Sequence, residues 1–185
     1  MTQRKAKRIM CHMNLALRPL TPSDAPILQR LYDACPAAFT SLLGRPALPD
    51  LAANDLTQAQ AAPGRTQLGV FLDEDLIGFI DCKLDADIPD RVHLGLLLLA
   101  APYDDPTIAS PILRILTRWL MGLSIAQLET GVPAHDAAAI RFWLGQGFRF
   151  TGEQYRRELP GYAPRFLVMA LVLTIDDGRQ TTDDG

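Results

Sequence analysis

The 185-residue chain has few of the residues that staple or metallate a small protein. Its three cysteines (Cys11, Cys35, Cys82) and three histidines are scattered along the sequence. That is too few for a disulfide framework and gives no zinc-ligand spacing, so no metal is expected, and thiols that stay reduced suit a cytoplasmic protein. Basic charge is not in excess: the formal net charge is -3, which gives no field to hold nucleic acid. Long apolar runs are missing too. The most apolar stretch, Leu94 to Ala101, is interrupted by Gly95 and falls far short of the ~20 residues a bilayer requires, so no membrane partner is expected. The start, MTQRKAKRIMCHMNLAL, is basic with no apolar segment behind it, which argues against a signal peptide. What the chain has is 48% hydrophobic and 21% charged residues, the composition of a globular domain. A chain of this length buries roughly 70% of its unfolded surface without staples.

Three regions are expected: a flexible basic extension over 1–14, one domain over 15–174 and a disordered polar tail over 175–185. Arg4, Lys5, Lys7 and Arg8 belong to the extension, and DDGRQTTDDG to the tail. Between them, helical and strand periodicities alternate, the mark of a mixed α/β fold. Leu15 to Leu20 alternates as a short strand. TPSDAPILQRLYDAC reads as a helix capped by Thr21 or Ser23, with Ile27, Leu28, Leu31 and Tyr32 inward. CPAAFTSLLGRPALPD, broken by Pro36, Gly44, Pro46 and Pro49, is expected to be a loop with room for one helical turn. LPDLAANDLTQAQAAPG reads as a short helix.

The period then changes to two. QLGVFLDEDLIGFIDCKLD reads as a hairpin around Asp73-Glu74-Asp75, and RVHLGLLLLA as a central strand buried on both faces. SPILRILTRWLMGL is the strongest helix, with Ser110 as N-cap, Pro111 at the first helical position and Trp119 in its apolar stripe. AQLETGV (strand), HDAAAIRFWLGQGF (helix with His135 and Asp136 at its cap), FRFTGEQYRREL and PRFLVMALVLT (strands) follow. The expected order is β-α-α-β-β-β-α-β-α-β-β.

This order, with three local segments, resembles the GNAT superfamily of acyl-CoA-dependent N-acetyltransferases from about Leu15 to Thr174, which implies a single α/β (α+β) domain with a mixed, mostly antiparallel central sheet flanked by helices. LALRPLTPSDAPILQRLY is similar to the family's opening strand and helix. TGVPAHDAAAIRFWLGQGFRFTGE resembles the pattern N-x-x-A-x-x-F-Y-x-x-x-G-F, with Ala139, Phe142, Gly147 and Phe148 in place. LGLLLLAAPYDDPTIASPIL resembles the cofactor strand and the loop into the next helix. The resemblance implies that acetyl-CoA is the cosubstrate, its pyrophosphate received by a helix N-terminus, where free N–H groups and a positive dipole end attract anions. It places the cofactor against Leu97, Leu98 and Leu99 on the strand, Asp104, Thr107, Ile108, Ala109 and Ser110 at the loop and helix start, and Asp136, Ala139 and Trp143 on the later helix.

Of the family loop Q/R-x-x-G-x-G/A only Ala109 fits. Asp104 stands at the basic position and Thr107 at the first glycine, with Asp105 and Pro106 between them. Asp136 replaces the helix Asn, and Trp143 the Tyr proposed as general acid at the coenzyme sulfur; indole supplies no acidic proton.

Asp81, His93 and Glu129 are the base candidates. Their bland readings are a solvated strand-face acid, a hydrogen-bonded structural histidine, and an acid facing solvent or paired with an Arg. Tyr103 could stack on an adenine or cover the helix end, and Cys35 is read as a structural thiol. The acceptor surface is expected from Phe39 to Pro49 and from Pro160 to Pro164. Three functions follow: transfer of an acetyl group to a primary amine of a small molecule or peptide, an inactive GNAT-fold module for ligand binding or dimerisation, or catalysis with a different acyl donor or a cofactor held mainly through its pantetheine.

Overall fold

The computed structural model describes residues 14–174. The basic extension (1–14) and polar tail (175–185) lie outside the described residues, apart from Asn14. The elements are β1 (Leu15–Pro19), α1 (Ala25–Asp33), α2 (Pro36–Leu43), α3 (Leu51–Ala61), β2 (Arg65–Leu72), β3 (Asp75–Leu84), β4 (Arg91–Leu99), α4 (Pro106–Gly122), β5 (Gln127–Pro133), α5 (Ala137–Gly145), β6 (Arg149–Arg156) and β7 (Arg165–Val172). They form one seven-stranded sheet in the order β1-β2-β3-β4-β5-β7-β6. Every neighbouring pair is antiparallel except β4–β5. This is the mixed α/β fold expected from the periodicities, with the mostly antiparallel, helix-flanked sheet that the resemblance implied.

Alternation along the strands divides the interior into two layers. On one face Leu68, Val70, Ile80, Val92, Leu94 and Leu128 pack under Ile112, Leu113, Leu116 and Leu120 of α4, with Trp143 of α5 and Phe148. On the other, Phe79 and Leu98 pack against Leu28, Leu31 and Tyr32 of α1, Phe39 of α2 and Leu56 of α3. β4 is the middle strand, as its apolar run suggested, and gives Val92, Leu94 and Leu99 to one layer and Leu98 to the other. The chain enters α1 through a capping box, in which the Thr21 N–H donates to the Asp24 carboxylate at 2.8 Å. The β2–β3 hairpin turns at Asp73, whose φ of 54° lies in the left-handed region that Asp tolerates better than most residues.

Three expectations are corrected. The Pro36–Pro49 segment is not mainly loop, since α2 runs for eight residues. Pro36 sits in its first turn, where the missing N–H costs nothing, and Gly44 closes it at φ 72°. The strongest helix does not begin at Ser110 and Pro111. Asp105 is its N-cap, Pro106 opens it, and Pro111 lies inside. Starting there adds Ala109 to the buried row Ile112, Leu113, Leu116 and Leu120, a continuous i, i+3, i+4, i+7 face. That row leaves Trp119 on the flank, 39% exposed rather than in the core.

Candidate active site

The parallel β4–β5 ladder is short. It runs from Arg91↔Gln127 to Leu94↔Thr130 and stops, although β4 continues to Leu99 and β5 to Pro133. The cause is local. Asp81 of β3 pairs with Leu96 while Cys82 pairs with Leu94, so Gly95 is one extra residue in β4. Such a bulge bends its strand and ends pairing. At the last rung the Thr130 hydroxyl donates to the Leu94 carbonyl at 3.0 Å. Beyond it the strands part, and the first residues on either side are Gly95 and Gly131. The Ala100 N–H bonds the Ile77 carbonyl at 2.9 Å. By antiparallel alternation the main-chain groups of Leu98 therefore turn to β3, and those of Leu97 and Leu99 to the gap. The Leu99 carbonyl accepts from the Cys35 thiol at 3.4 Å. Burial, with the Asp104 charge nearby, pushes that thiol's pKa up, so Cys35 is the inert structural thiol expected.

Asp81, His93 and Glu129 share the α1–α3 face of the sheet. His93 and Glu129 are register partners one rung before the gap. Glu129 is only 5% exposed. Its Oε1 accepts from Arg91 Nη1 at 3.2 Å and from Gln127 Nε2 at 2.8 Å, and its Oε2 lies 3.4 Å from His93 Nδ1. The His93 Nε2 meets Asp85 Oδ2 at 2.6 Å. Asp85 is held well below the usual carboxylate range, first by the Asp87 N–H and then by His93 and Arg91. Glu129 is thus the buried, Arg-paired acid, not a solvent-facing one. Asp81 accepts from Arg65 at 3.0 Å and 2.6 Å, and its carboxylate edges Gly95 at the mouth of the gap.

Across the mouth, Tyr155 of β6 lays its hydroxyl over Gly131, in the space a Cβ would take. Its ring stacks on Phe166 at 5.1 Å between centroids, and burial raises the pKa of the phenol. Sequence reading passed over Tyr155, Arg65, Asp85 and Gly131, and took Gly95 only as a break in the apolar run. Only the glycines carried a signal, because a lone Gly in a strand marks a bulge or a close approach. The two segments expected to receive the acceptor touch each other: the Tyr162 hydroxyl donates to the Ser41 carbonyl at 2.7 Å.

The start of α4 offers little to an anion. The Asp105 carboxylate accepts the Thr107 N–H at 2.7 Å, and the Thr107 side chain first, with that N–H second, lowers the Asp105 pKa. The Asp105 carbonyl accepts the N–H groups of Ile108 and Ala109, each at 2.9 Å, and Pro106 has none. The donors expected at Thr107, Ile108 and Ala109 are therefore taken, and Asp104 brings a further carboxylate. The hydroxyl of Ser110 accepts from Gln146 Nε2 at 2.9 Å. Asp136 caps α5 by accepting the Ala139 N–H at 2.9 Å. His135 takes no part in that cap and meets the Ser41 hydroxyl at 3.2 Å. Trp143, 8% exposed, is a core residue edge-on to Phe142 and Phe148. Tyr103 is half-buried and lines a cavity of about 380 Å³ with Ile27, Arg30 and Leu76. Among the described residues no group of three His, Cys, Asp or Glu is arranged to hold a metal ion, and no helix is long and apolar enough to cross a membrane.

No family model matches the chain, and no curated protein sequence does. Solved structures do. An acetyltransferase from Thermus thermophilus is 25% identical, with a TM-score of 0.69 over 85% of this chain and 97% of its own. A probable GNAT-family acetyltransferase from Chromobacterium violaceum superposes with a TM-score of 0.74 at 17% identity, over 85% of this chain and 82% of its own. The PaiA N-acetyltransferase of Thermoplasma acidophilum, solved in complex with coenzyme A, gives 0.62 at 19% identity, over 86% and 99%. With the bulged β4, the parted parallel pair and these superpositions together, the chain has the fold of the GNAT superfamily N-acetyltransferases.

Proposed function

We propose that the protein is an acyltransferase that moves an acetyl group from a pantetheine thioester, of which acetyl-CoA is the familiar form, to a primary amine of a small molecule or peptide. The observation that carries this is the early end of the β4–β5 ladder at Leu94↔Thr130. It leaves the main-chain N–H and C=O of Leu97 and the N–H of Leu99 facing the gap, suited to an amide-bearing arm, while the Leu99 carbonyl already accepts from Cys35. When bound, the thioester supplies a carbonyl carbon for the amine nitrogen to attack, with the thiol leaving. The chain's part is electrostatic and acid–base. Edge N–H groups of β4 are preorganised donors for an oxygen that gains negative charge. Glu129, its Oε1 fixed by Arg91 and Gln127, keeps Oε2 to receive the amine proton, and His93, more exposed, passes it outward to solvent. Asp81, oriented by Arg65, attracts the ammonium form of the acceptor to the mouth of the gap.

The test is release of free thiol from millimolar acetyl-CoA in the presence of a panel of primary amines. At least one amine accelerates release, and Glu129→Gln lowers that rate about 100-fold or more, the usual contribution of a positioned base. A panel without any acceptor, with Glu129→Gln matching the wild-type background, would favour the inactive ligand-binding or dimerising module instead.

A further inference from the structure

The two ends of the expected coenzyme site fit their ligand unequally. Along the gap, the open edges of β4 and β5 suit a pantetheine arm. At the start of α4 the fit fails. Of the first four helical residues, Pro106 has no N–H, Thr107 donates to the Asp105 carboxylate at 2.7 Å, and Ile108 and Ala109 donate to the Asp105 carbonyl at 2.9 Å. The helix has capped itself with an anion of its own. A pyrophosphate arriving there meets the Asp105 carboxylate already bonded to the helix, with Asp104 beside it, and the segment from Ala101 to Ala109 contains no Lys or Arg.

We infer that the acyl donor is recognised through its acyl group and pantetheine arm alone, the nucleotide end of coenzyme A adding nothing at α4, so that acyl-pantetheine thioesters lacking the nucleotide are equal donors. The inference rests on the acyltransferase reading. The transfer itself does not need the nucleotide: the C–S bond breaks as the C–N bond forms, the amine proton goes to Glu129, and the departing thiolate takes a proton from water.

The experiment is calorimetric titration of the full-length chain with acetyl-CoA, S-acetyl-pantetheine and adenosine 3′,5′-bisphosphate. Acetyl-CoA and S-acetyl-pantetheine should bind within about threefold of each other, and the bisphosphate should displace neither. Two variants separate the contributions. Asp105→Gly frees the Thr107 N–H and keeps a residue that caps helices nearly as well, while Asp104→Asn removes charge and leaves the cap intact. Each should tighten acetyl-CoA about two- to fivefold, the scale of one charge at a helix end, and leave S-acetyl-pantetheine unmoved. Wild-type protein that binds acetyl-CoA more than tenfold tighter than S-acetyl-pantetheine, with no tightening in either variant, overturns the inference and leaves the acyltransferase reading standing. Failure of both thioesters to bind at millimolar concentration overturns the two together.

Discussion

Replacing Gly131 with alanine tests the geometry of the gap directly. A Cβ on Gly131 would fall inside the contact radius of the Tyr155 hydroxyl and at 3.0 Å from the Tyr155 Cζ. The ring cannot swing aside freely, because it stacks on Phe166 with an interplanar angle of 9°. Gly131→Ala should therefore cost about 1–3 kcal/mol, the range for an extra methyl in a packed site. Tyr155→Phe alone removes the offending oxygen and keeps the stack, so it should cost within about 0.5 kcal/mol, as for most partly exposed positions. In the double variant the nearest ring atoms sit at 3.0–3.1 Å, a crowding the ring relieves by a few tenths of an ångström. The double variant should then recover about 1 kcal/mol relative to the sum of the singles. Urea denaturation midpoints of the four proteins close the cycle. Costs that add within about 0.5 kcal/mol, the behaviour of independent sites, would refute the placement of the Tyr155 hydroxyl over Gly131.

The chain's two tryptophans should report opposite environments. With Trp119 replaced by Phe, the remaining Trp143 should emit to the blue and resist acrylamide quenching, and with Trp143 replaced, Trp119 should be readily quenched; equal quenching would contradict the burial of Trp143. Burial pushes the Cys82 thiol up to about 12 and raises Cys35 as well. In a Cys11→Ser background both should therefore resist thiol reagents until urea unfolds the chain, because the thiolate is the reactive form; stoichiometric labelling within seconds in native buffer would refute this. Asp85 has a depressed folded-state pKa, so its stabilising effect is present above about pH 4, the unfolded value, and lost as pH falls further. Asp85→Asn should lower the urea midpoint at pH 7, and the difference from wild type should shrink in acid; a difference independent of pH would overturn that reading.

Periodicity made most of the fold legible, because each strand's alternation and each helix's apolar row is a local property. The misreadings came from proline. Pro36 looks like a breaker, yet it opens α2, and the prolines that do break the segment, Pro46 and Pro49, fall after Gly44 has closed that helix. Asp105-Pro106 and Ser110-Pro111 carry the same cap-and-proline signal. The earlier pair wins because it brings Ala109 into the row that faces the sheet. The site was harder to read than the fold. That Asp81, His93 and Glu129 share a face follows from strand parity, but their partners do not: Arg65 lies 16 residues from Asp81 and Arg91 lies 38 from Glu129. Tyr155 reaches Gly131 only because the sheet order sets β7 between β5 and β6. No local pattern encodes that.

The four rungs from Arg91↔Gln127 to Leu94↔Thr130 have a consequence for the mechanics of folding. They are the one seam between two antiparallel blocks, β1 to β4 on one side and β5 to β7 on the other. The hydrogen bonds within each block can form without the other, so the seam is a natural boundary between cooperative units. The open gap continues that same line. On the proposed function, a thioester arm seated in it would bridge the blocks where the backbone no longer does, a removable stitch whose binding would strengthen the docking of one half of the molecule on the other.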